Sequence, residues 1–534
     1  MAKTLQYWGT GNFQEHPYTG RIVTWTEKEK QTVDDAIATK LLASGAGLVL
    51  DNDSTGEVVT SQINSVTGEI SFYGNGAKLN VASPITTPVS YRGTTLATTM
   101  DMRRLPQGIV TNFDITSLIP AISKTYYVDP INGSNANAGT SAGLAKKDLS
   151  VVLALADVDQ IIITGLTADF VGLGAQSWNN TQPSRSLSVI NNTGYRYISA
   201  ACASLPTWAV NGTYSNVYST VIAAASAAGV IDVSSSSYLS SVNVNGDSVT
   251  LSNVPKKYRT LTKVASLAAV AATAGTCYHD GSSLHVRAHD DRNLVGDTKM
   301  IPSTNAQNGR FPTGTNNITI YVSGIDFVGG NSCFYMGMLS TVTGCVFAHN
   351  NCSFQGAAVA HGLTVLSYSK VYGYRSAAYE NYLDGFNYHS NESDGTTPST
   401  SPDCAEIECV AYGNGTTGSA GSSDNASTSH DFCNVIRLNC NYPNSSDRVL
   451  IDTNSAHSWN LGCVVGQAVT VAVGQQNICA LTTAKVWLDS CYAKSGSNQR
   501  WLSAQTAVLK YWNSGTVVND ATGEATGTVA AYYG

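Results

Sequence analysis

The sequence is short of charge. Of its 534 residues, Lys and Arg make up 30 and Asp and Glu 37, together 13%, about half the share usual in globular chains. The net charge is −7 and no block of Lys or Arg stands out. Nucleic acid is therefore excluded as a partner, since a duplex is held by a basic face. Long apolar runs are also missing. The Ala-rich "VASLAAVAATAG" is too short and too weakly apolar to cross a bilayer, so no membrane insertion is expected. The opening "MAKTLQYWGTG" lacks the apolar core of a secretory signal, and the chain is expected to be made in a cytoplasm. The twelve cysteines form no CxxC pair, which disfavours the common zinc sites. No metal and no cofactor is expected.

What replaces the charge is small and polar. Apolar residues still reach 43%, and the remainder is rich in Gly, Ser, Thr and Asn. Short β-branched runs between such tracts read as many strands joined by turns. Tyr outnumbers Phe 27 to 11, a bias toward amphipathic contact residues and so toward a binding surface.

The chain reads as three parts. In residues 1–124, Thr26 and Glu29 make a capping box before Val33, Ile37 and Leu41, with Gly45 placed to end a helix. The strand "GLVLD" follows. "DNDSTG" at 51–56 has the outline of a calcium loop, but Gln62 stands where the bidentate Glu belongs, so it reads as a polar turn. A second domain is expected from "YYVDPINGSNANAG", spanning 125–510 with a strand-rich insertion at about 200–310, and a C-terminal segment, 511–534, follows it. Within the insertion, "TCYHDGSSLHVRAHDD" reads as a hairpin turning at Asp280-Gly281. Its His279, His285 and His289 are read as solvated rather than as metal ligands.

From about residue 320 a repeat emerges. Anchors at Ile325, Cys345, Lys370, Cys409, Cys440, Cys463 and Cys491 are separated by 20, 25, 39, 31, 23 and 28 residues. A period in the twenties built from strands and turns implies a solenoid, here a parallel β-helix whose coils stack about 4.8 Å apart. Ten of the cysteines follow residue 330 and five of them are anchors. They are expected to be free thiols in an inward ladder. The longer coils carry insertions at 391–403 and 414–429 that could wall one groove. "GNGTTG" (413–418) matches a nucleotide fingerprint but lacks the helix that must follow it.

The coil pattern, the domain start "YYVDPINGSNANAG" and the segments "DGFNYH" (384–389) and "SHDFCNVIRLN" (429–439) resemble bacteriophage tailspikes over roughly 125–510. These are proteins with a right-handed parallel β-helix similar to that of pectate lyases. The resemblance implies an all-β solenoid assembled as a homotrimer on a virion, after assembly in the host cytoplasm. It further implies an N-terminal part that docks to phage tail or baseplate proteins. The β-helix would bind host surface polysaccharide, and many such proteins also cut it, by hydrolysis or by lyase chemistry. Hydrolysis ranks first here, with a binding spike without catalysis, a polysaccharide lyase and a purely structural virion spike as the alternatives.

"YENYLDGFNYHS" (379–390) is the candidate site. Aligning "DGFNYHS" with "DFCNVIR" on D-x-x-N places Asp384 over Asp431 and Asn387 over Asn434 in adjacent coils. Stacked Asn reads as a structural ladder. Two carboxylates about 5 Å apart cannot both ionise easily, so one pKa is expected to rise. One protonated and one ionised carboxylate is what a glycosidase uses. The catalytic candidates are Asp384, Asp431, Glu380 and Glu392, with Asp452 as a spare. Tyr379, Tyr382, Tyr388, His389 and His430 are the candidate substrate contacts. A lyase would also need cations for a uronate, for which Lys370, Arg375, Arg437 and Arg448 are the supply.

Overall fold

The computed structural model describes residues 85–512 apart from 106–107, 203, 224–228, 239–240, 245–246, 251–254, 313, 338–341, 367–369, 391–401, 416–423, 446–447, 469–476, 494–500 and 504–506. It also describes the backbone of short strands before residue 85 and of Thr528–Ala531. The chain divides into two compact units, residues 1–89 with 94–113, and residues 90–93 with 114–534.

The larger unit is a parallel β-helix. Three long sheets run its length: sheet A with twelve strands, sheet B with nine and sheet C with eight. Each complete coil contributes one strand to A, then B, then C. The coil at Val346–Asn350, Ser353–Gln355 and Leu363–Leu366 is followed by Lys370–Tyr374, Ala377–Tyr379 and Phe386–His389. Every strand pairs in parallel with its counterpart one coil away. No coil can bury its apolar side alone, so the core is one continuous column of inward side chains.

The corner from sheet A to sheet B takes a single residue in the left-handed region. Gly324, Asn351, Arg375, Glu408, Asn439, Gly462 and Ser490 all have φ between 48° and 73°. Gly and Asn adopt this conformation at least cost. The next residue heads the inward ladder, which runs Ile325, Cys352, Ser376, Cys409, Cys440, Cys463, Cys491. From Cys352 onward every seat under this sharp turn is filled by a small side chain, Cys or Ser. The thiols donate to carbonyls of the coil before: Cys440 Sγ to Glu406 O at 3.2 Å, Cys463 to Arg437 O at 3.2 Å, Cys491 to Asn460 O at 3.2 Å. All twelve cysteines are buried and unbridged.

Two of the sequence anchors are corrected by this register. Cys345 immediately precedes the sheet A strand Val346–Asn350, and Lys370 opens the next one. The seats on the ladder belong to Cys352 and Ser376, and the steps between seats 325, 352, 376, 409, 440, 463 and 491 are 27, 24, 33, 31, 23 and 28 residues. The Asn ladder also lies elsewhere than expected. Asn387 is in sheet C and Asn434 in sheet A, so they do not stack. Asn381 and Asn414 form the buried pair, with Asn381 Nδ2 donating to Asn414 Oδ1 at 2.9 Å.

The column changes character along its length. Near residues 327–354 it is aromatic: Phe334 stacks on Phe347 at 4.3 Å and Phe327 on Phe354 at 5.7 Å. Further along, one inward ladder of sheet A reads His349, Gly373, Glu406, Arg437, Asn460. A side chain at Gly373 would meet the His349 ring, whose Cε1 lies 2.4 Å from the position of a Cβ. The Arg437 guanidinium lies between Glu406 (3.6 Å) and Asp452 (3.2 Å), all fully buried.

Between Tyr197–Ala200 and Gly309–Arg310 the chain leaves the coil and builds an insertion. It holds a five-stranded and a three-stranded sheet and lies on the outer face of sheet B. Tyr258 Oη donates to Asp326 at 2.8 Å, and Asp326 is also paired with buried Arg196. The expected hairpin is present, Thr276–His279 pairing antiparallel with Ser283–Arg287.

In the smaller unit, Ala2–Tyr7 pairs antiparallel with Lys30–Asp34 and with Leu48–Asn52. The latter is the strand expected at "GLVLD". Lys30–Asp34 corrects the helix expected after Thr26. Cross-strand partners override the local i+4 pattern there, and residues 35–47 lie outside the described residues, as do 53–56 of the "DNDSTG" turn.

Candidate functional site

The strand Phe386–His389 alternates. Phe386 and Tyr388 enter the column, while Asn387 and His389 take the outer side of sheet C. Asp384 lies just before this strand and Asp431 just after the next strand of the same sheet, Ser427–Ser429. The two carboxylates therefore occupy opposite ends of sheet C strands and do not stack. The D-x-x-N alignment equated two different corners of the coil.

Asp384 stands over Asn425 of the following coil. Its Oδ1 accepts from Asn425 N at 2.8 Å and Asn425 Nδ2 at 2.9 Å, and its Oδ2 from Asn387 Nδ2 at 2.6 Å. His361, from the coil before, places Nδ1 3.3 Å from Oδ2. Burial works to raise the Asp384 pKa, but His361 and these amide donors outweigh it and hold the carboxyl below its ordinary value. The carboxylate is fully buried. Its role is to lock three successive coils together.

The other end of the strands is more open. His389 and His430 occupy neighbouring coils and their rings stack face to face, 3.9 Å apart and 7° from parallel. Asp431 follows at φ 56°, forming the corner from sheet C back to sheet A. Its Oδ2 is 3.3 Å from His389 Nδ1, and its Oδ1 accepts from Asn454 Nδ2 at 2.8 Å. The side chains of His389 and Asp431 retain 30% and 14% of their exposure. Burial raises the Asp431 pKa, but the hydrogen bonds from His389 and Asn454 prevail and lower it. His430 is pushed down to about 4, by burial first and then by the charge of His389, against the pull of Asp384 and Asp431. Both carboxylates thus act on His430, and both pKa values fall where a rise in one was expected. At neutral pH this end of sheet C offers an ionised carboxylate, an uncharged imidazole and a second imidazole hydrogen-bonded to the carboxylate.

The remaining candidates separate from this cluster. Glu380 is half-buried against the insertion, ion-paired with Lys257 and accepting from Thr260 N at 3.3 Å. Tyr379 is fully buried, its hydroxyl donating to Pro255 O at 3.2 Å, and Tyr388 is fully buried in the column. Neither presents a ring face to a ligand, because both lie on strand positions covered on their own side. Tyr382 is partly exposed. Asp452 is fully buried against Arg437 and Ser458. Arg437 belongs to that internal network, and Arg375 pairs with Glu408 at 2.6 Å. Glu392 and residues 391–401 and 416–423 of the two long insertions lie outside the described residues. His361, Asn425 and Asn454 were not read from the sequence. Correct stacking of "HGLTVL", "DGFNYH" and "NASTSH" would have shown the first two.

The three insertion histidines diverge. His279 Nε2 is 2.7 Å from Ile222 O, and His285 lies between Ser219 and Asp280. Among the described residues no group of three or more His, Cys, Asp or Glu is arranged to hold a metal ion.

No protein-family model matches the chain, and no curated protein matches it. Among solved structures it is similar to a complex of XylC with xylose, at 10% identity and a TM-score of 0.34, over 76% of this chain and 86% of that one. It is also similar to a glycoside hydrolase, at 8% identity and a TM-score of 0.33, over 77% and 96%. At this level neither neighbour bears on fold or function. The β-helix follows from the pairing of the strands themselves.

Proposed function

We propose that this chain binds a polysaccharide across the outer end of sheet C and hydrolyses its glycosidic bonds there. The observation that carries the reading is the partly exposed Asp431, held ionised beside the stacked His389 and His430. An ionised carboxylate can stabilise the positive charge that develops on a sugar ring in the transition state. A histidine hydrogen-bonded to it can carry the proton that the leaving oxygen requires. Asp384 no longer takes part in the chemistry; it fixes the coils on which the cluster stands. A virion location, a homotrimer and docking of the N-terminal part to phage tail proteins belong to the same proposal, supported by the resemblance of the coil pattern to tailspikes.

A second reading, binding without cleavage, is favoured by the burial of Asp384, which leaves this cluster one partly exposed carboxylate where most glycosidases use two. The test is a panel of purified bacterial capsular and O-chain polysaccharides, with retention on immobilised protein and reducing-end release both measured. Asp431→Asn keeps the side-chain shape and tolerates the left-handed backbone. It is expected to lower release by about 10²-fold or more, the scale of lost acid–base catalysis, with retention preserved. Retention without release by the unaltered chain would select the binding reading, and absorbance from unsaturated uronates would select a lyase. Release at an unchanged rate in Asp431→Asn would remove the cluster from the mechanism.

A further inference from the structure

A second hydrogen-bonded chain of functional groups lies on the insertion, away from sheet C. In the insertion's five-stranded sheet, Tyr218–Val221 pairs with Ser283–Arg287 so that Ser219 and His285 face each other directly. Ser219 Oγ lies 2.8 Å from His285 Nδ1, and His285 Nε2 lies 3.0 Å from Asp280 Oδ2. Asp280 is fixed by its turn: its Oδ1 accepts from Ser282 N at 2.9 Å and Ser283 N at 2.7 Å. Only Oδ2 is left for the histidine. These bonds also hold Asp280 well below the usual carboxylate range. An anionic Asp280 places the ring proton on Nε2 and leaves Nδ1 to accept from the serine hydroxyl. A fourth group converges on the same oxygen. Asn211 Nδ2 donates to Ser219 Oγ at 3.0 Å, while Asn211 Oδ1 accepts from Thr213 N at 2.9 Å, which orients the amide. The Tyr278 ring lies parallel to His285 at 6.1 Å. His285 is 6% exposed, Ser219 is half-buried, and Val221, two residues along on the same face, is 88% exposed.

A buried histidine needs two hydrogen-bond partners to be satisfied, and His285 has two. It is the kind of partner and the extra donor on the serine that go beyond a structural role. One partner is a nucleophile type, the other a carboxylate, and an oriented amide donor meets the nucleophile on the outer side of the sheet. We propose that Ser219, His285, Asp280 and Asn211 form a site that hydrolyses small O-acyl esters. The ring is used in the opposite sense to the serine proteases, with Nδ1 rather than Nε2 toward the nucleophile; the proton relay is equivalent. Ser219 Oγ bonds to the acyl carbon as its proton passes to His285 Nδ1. Asn211 Nδ2 donates to the oxyanion that forms. The bond from the acyl carbon to the alcohol oxygen then breaks, and the alcohol leaves with the proton from His285. Water attacks the acyl-serine, giving its proton to His285. The carboxylic acid departs, and the proton returns to Ser219. Val221 offers an apolar platform for a short acyl chain such as acetyl. On an open sheet face the ester can be carried on a bulky molecule, and an O-acetyl group on a polysaccharide fits that description. That last identification rests on the proposed glycan binding; the ester chemistry does not.

The test uses the full chain with probes that contain no sugar. The native protein is expected to hydrolyse p-nitrophenyl acetate and to take up a fluorophosphonate at Ser219, located by peptide mass, at least 10-fold faster than the urea-denatured chain. Ser219→Ala should abolish labelling and lower the rate by about 10²-fold or more, at an unchanged melting temperature. His285→Gln and Asp280→Asn should each slow both reactions, which keeps the inference testable should Ser219→Ala fail to fold. Labelling of the native chain no faster than of the denatured one, or a wild-type rate in Ser219→Ala, would overturn it. Failure to bind any polysaccharide would not move these readings, so this inference and the glycan reading can fail separately.

Discussion

Arg437 lies with its guanidinium between Glu406 and Asp452, deep in the column. Removing the cation leaves two buried carboxylates without a counter-charge, so Arg437→Met is expected to cost about 3–5 kcal/mol, read as a lowered urea midpoint. The triple variant Glu406→Gln, Arg437→Met, Asp452→Asn should recover most of that loss, and a triple variant as unstable as the single would contradict the pairing. His349 poses the opposite case. Both ring nitrogens are buried without a hydrogen-bond partner, and burial pushes its pKa down to about 3. His430 is held at about 4 and His457, through burial and then the charge of Arg92, at about 3. All three lie below the ordinary 6.5. Their contribution to stability is complete above pH 6.5. It is lost as pH falls toward 3–4, because the unfolded chain then takes up protons that the folded chain refuses. The melting temperature should fall between pH 7 and pH 5, and His349→Leu should both raise it at neutral pH and flatten the slope. A melting temperature that does not change over that range would count against the buried neutral rings.

The corner is the element that makes a coil. A left-handed residue followed by a small inward one recurs at Asn351-Cys352, Asn439-Cys440, Gly462-Cys463 and Ser490-Cys491. The thiol reagent 5,5′-dithiobis(2-nitrobenzoate) should therefore titrate none of the twelve cysteines in the folded chain and all of them in urea, and a disulfide among Cys409, Cys440 and Cys463 would break the ladder as described. Much of this architecture is legible in the sequence, because Cys409, Cys440, Cys463 and Cys491 occupy one seat in successive coils. The register fails where that seat is filled by Ser376, which carries no distinctive signal, and where Cys345 offers a decoy one sheet away. The same slip governs the site. "DGFNYHS" and "DFCNVIR" share D-x-x-N, yet one enters sheet C and the other leaves it. Asp431, His389 and His430 were within reach because they stand in or beside the two segments that were aligned with each other; His361 and Asn454 were not, because they belong to the coils on either side of that pair. The buried Tyr379 and Tyr388 show the complementary limit, since composition gives the number of aromatics but not the side they take.

For the molecule as a whole, Tyr91 ties the start of the larger unit to its far coils. Its ring packs against Trp459 at 6.0 Å and Trp487 at 5.7 Å, and Arg92 N donates to His457 Nδ1 at 3.2 Å. A fragment beginning near Lys124 would uncover these tryptophans. It is expected to melt below the full chain and to bind an apolar dye, whereas a fragment beginning before Ser90 should not. In solution the proposed homotrimer should give three times the 56.2 kDa chain mass by light scattering at micromolar concentration, and a monomer mass would contradict it. The central claim is that a glycan lies across the outer end of sheet C. The most direct measurement is amide hydrogen exchange of the full chain with and without the polysaccharide that it retains best from the bacterial panel. The account predicts added protection over 386–390 and 427–432, lost in His389→Ala. Protection confined to other coils, or no polysaccharide retained at all, would contradict it.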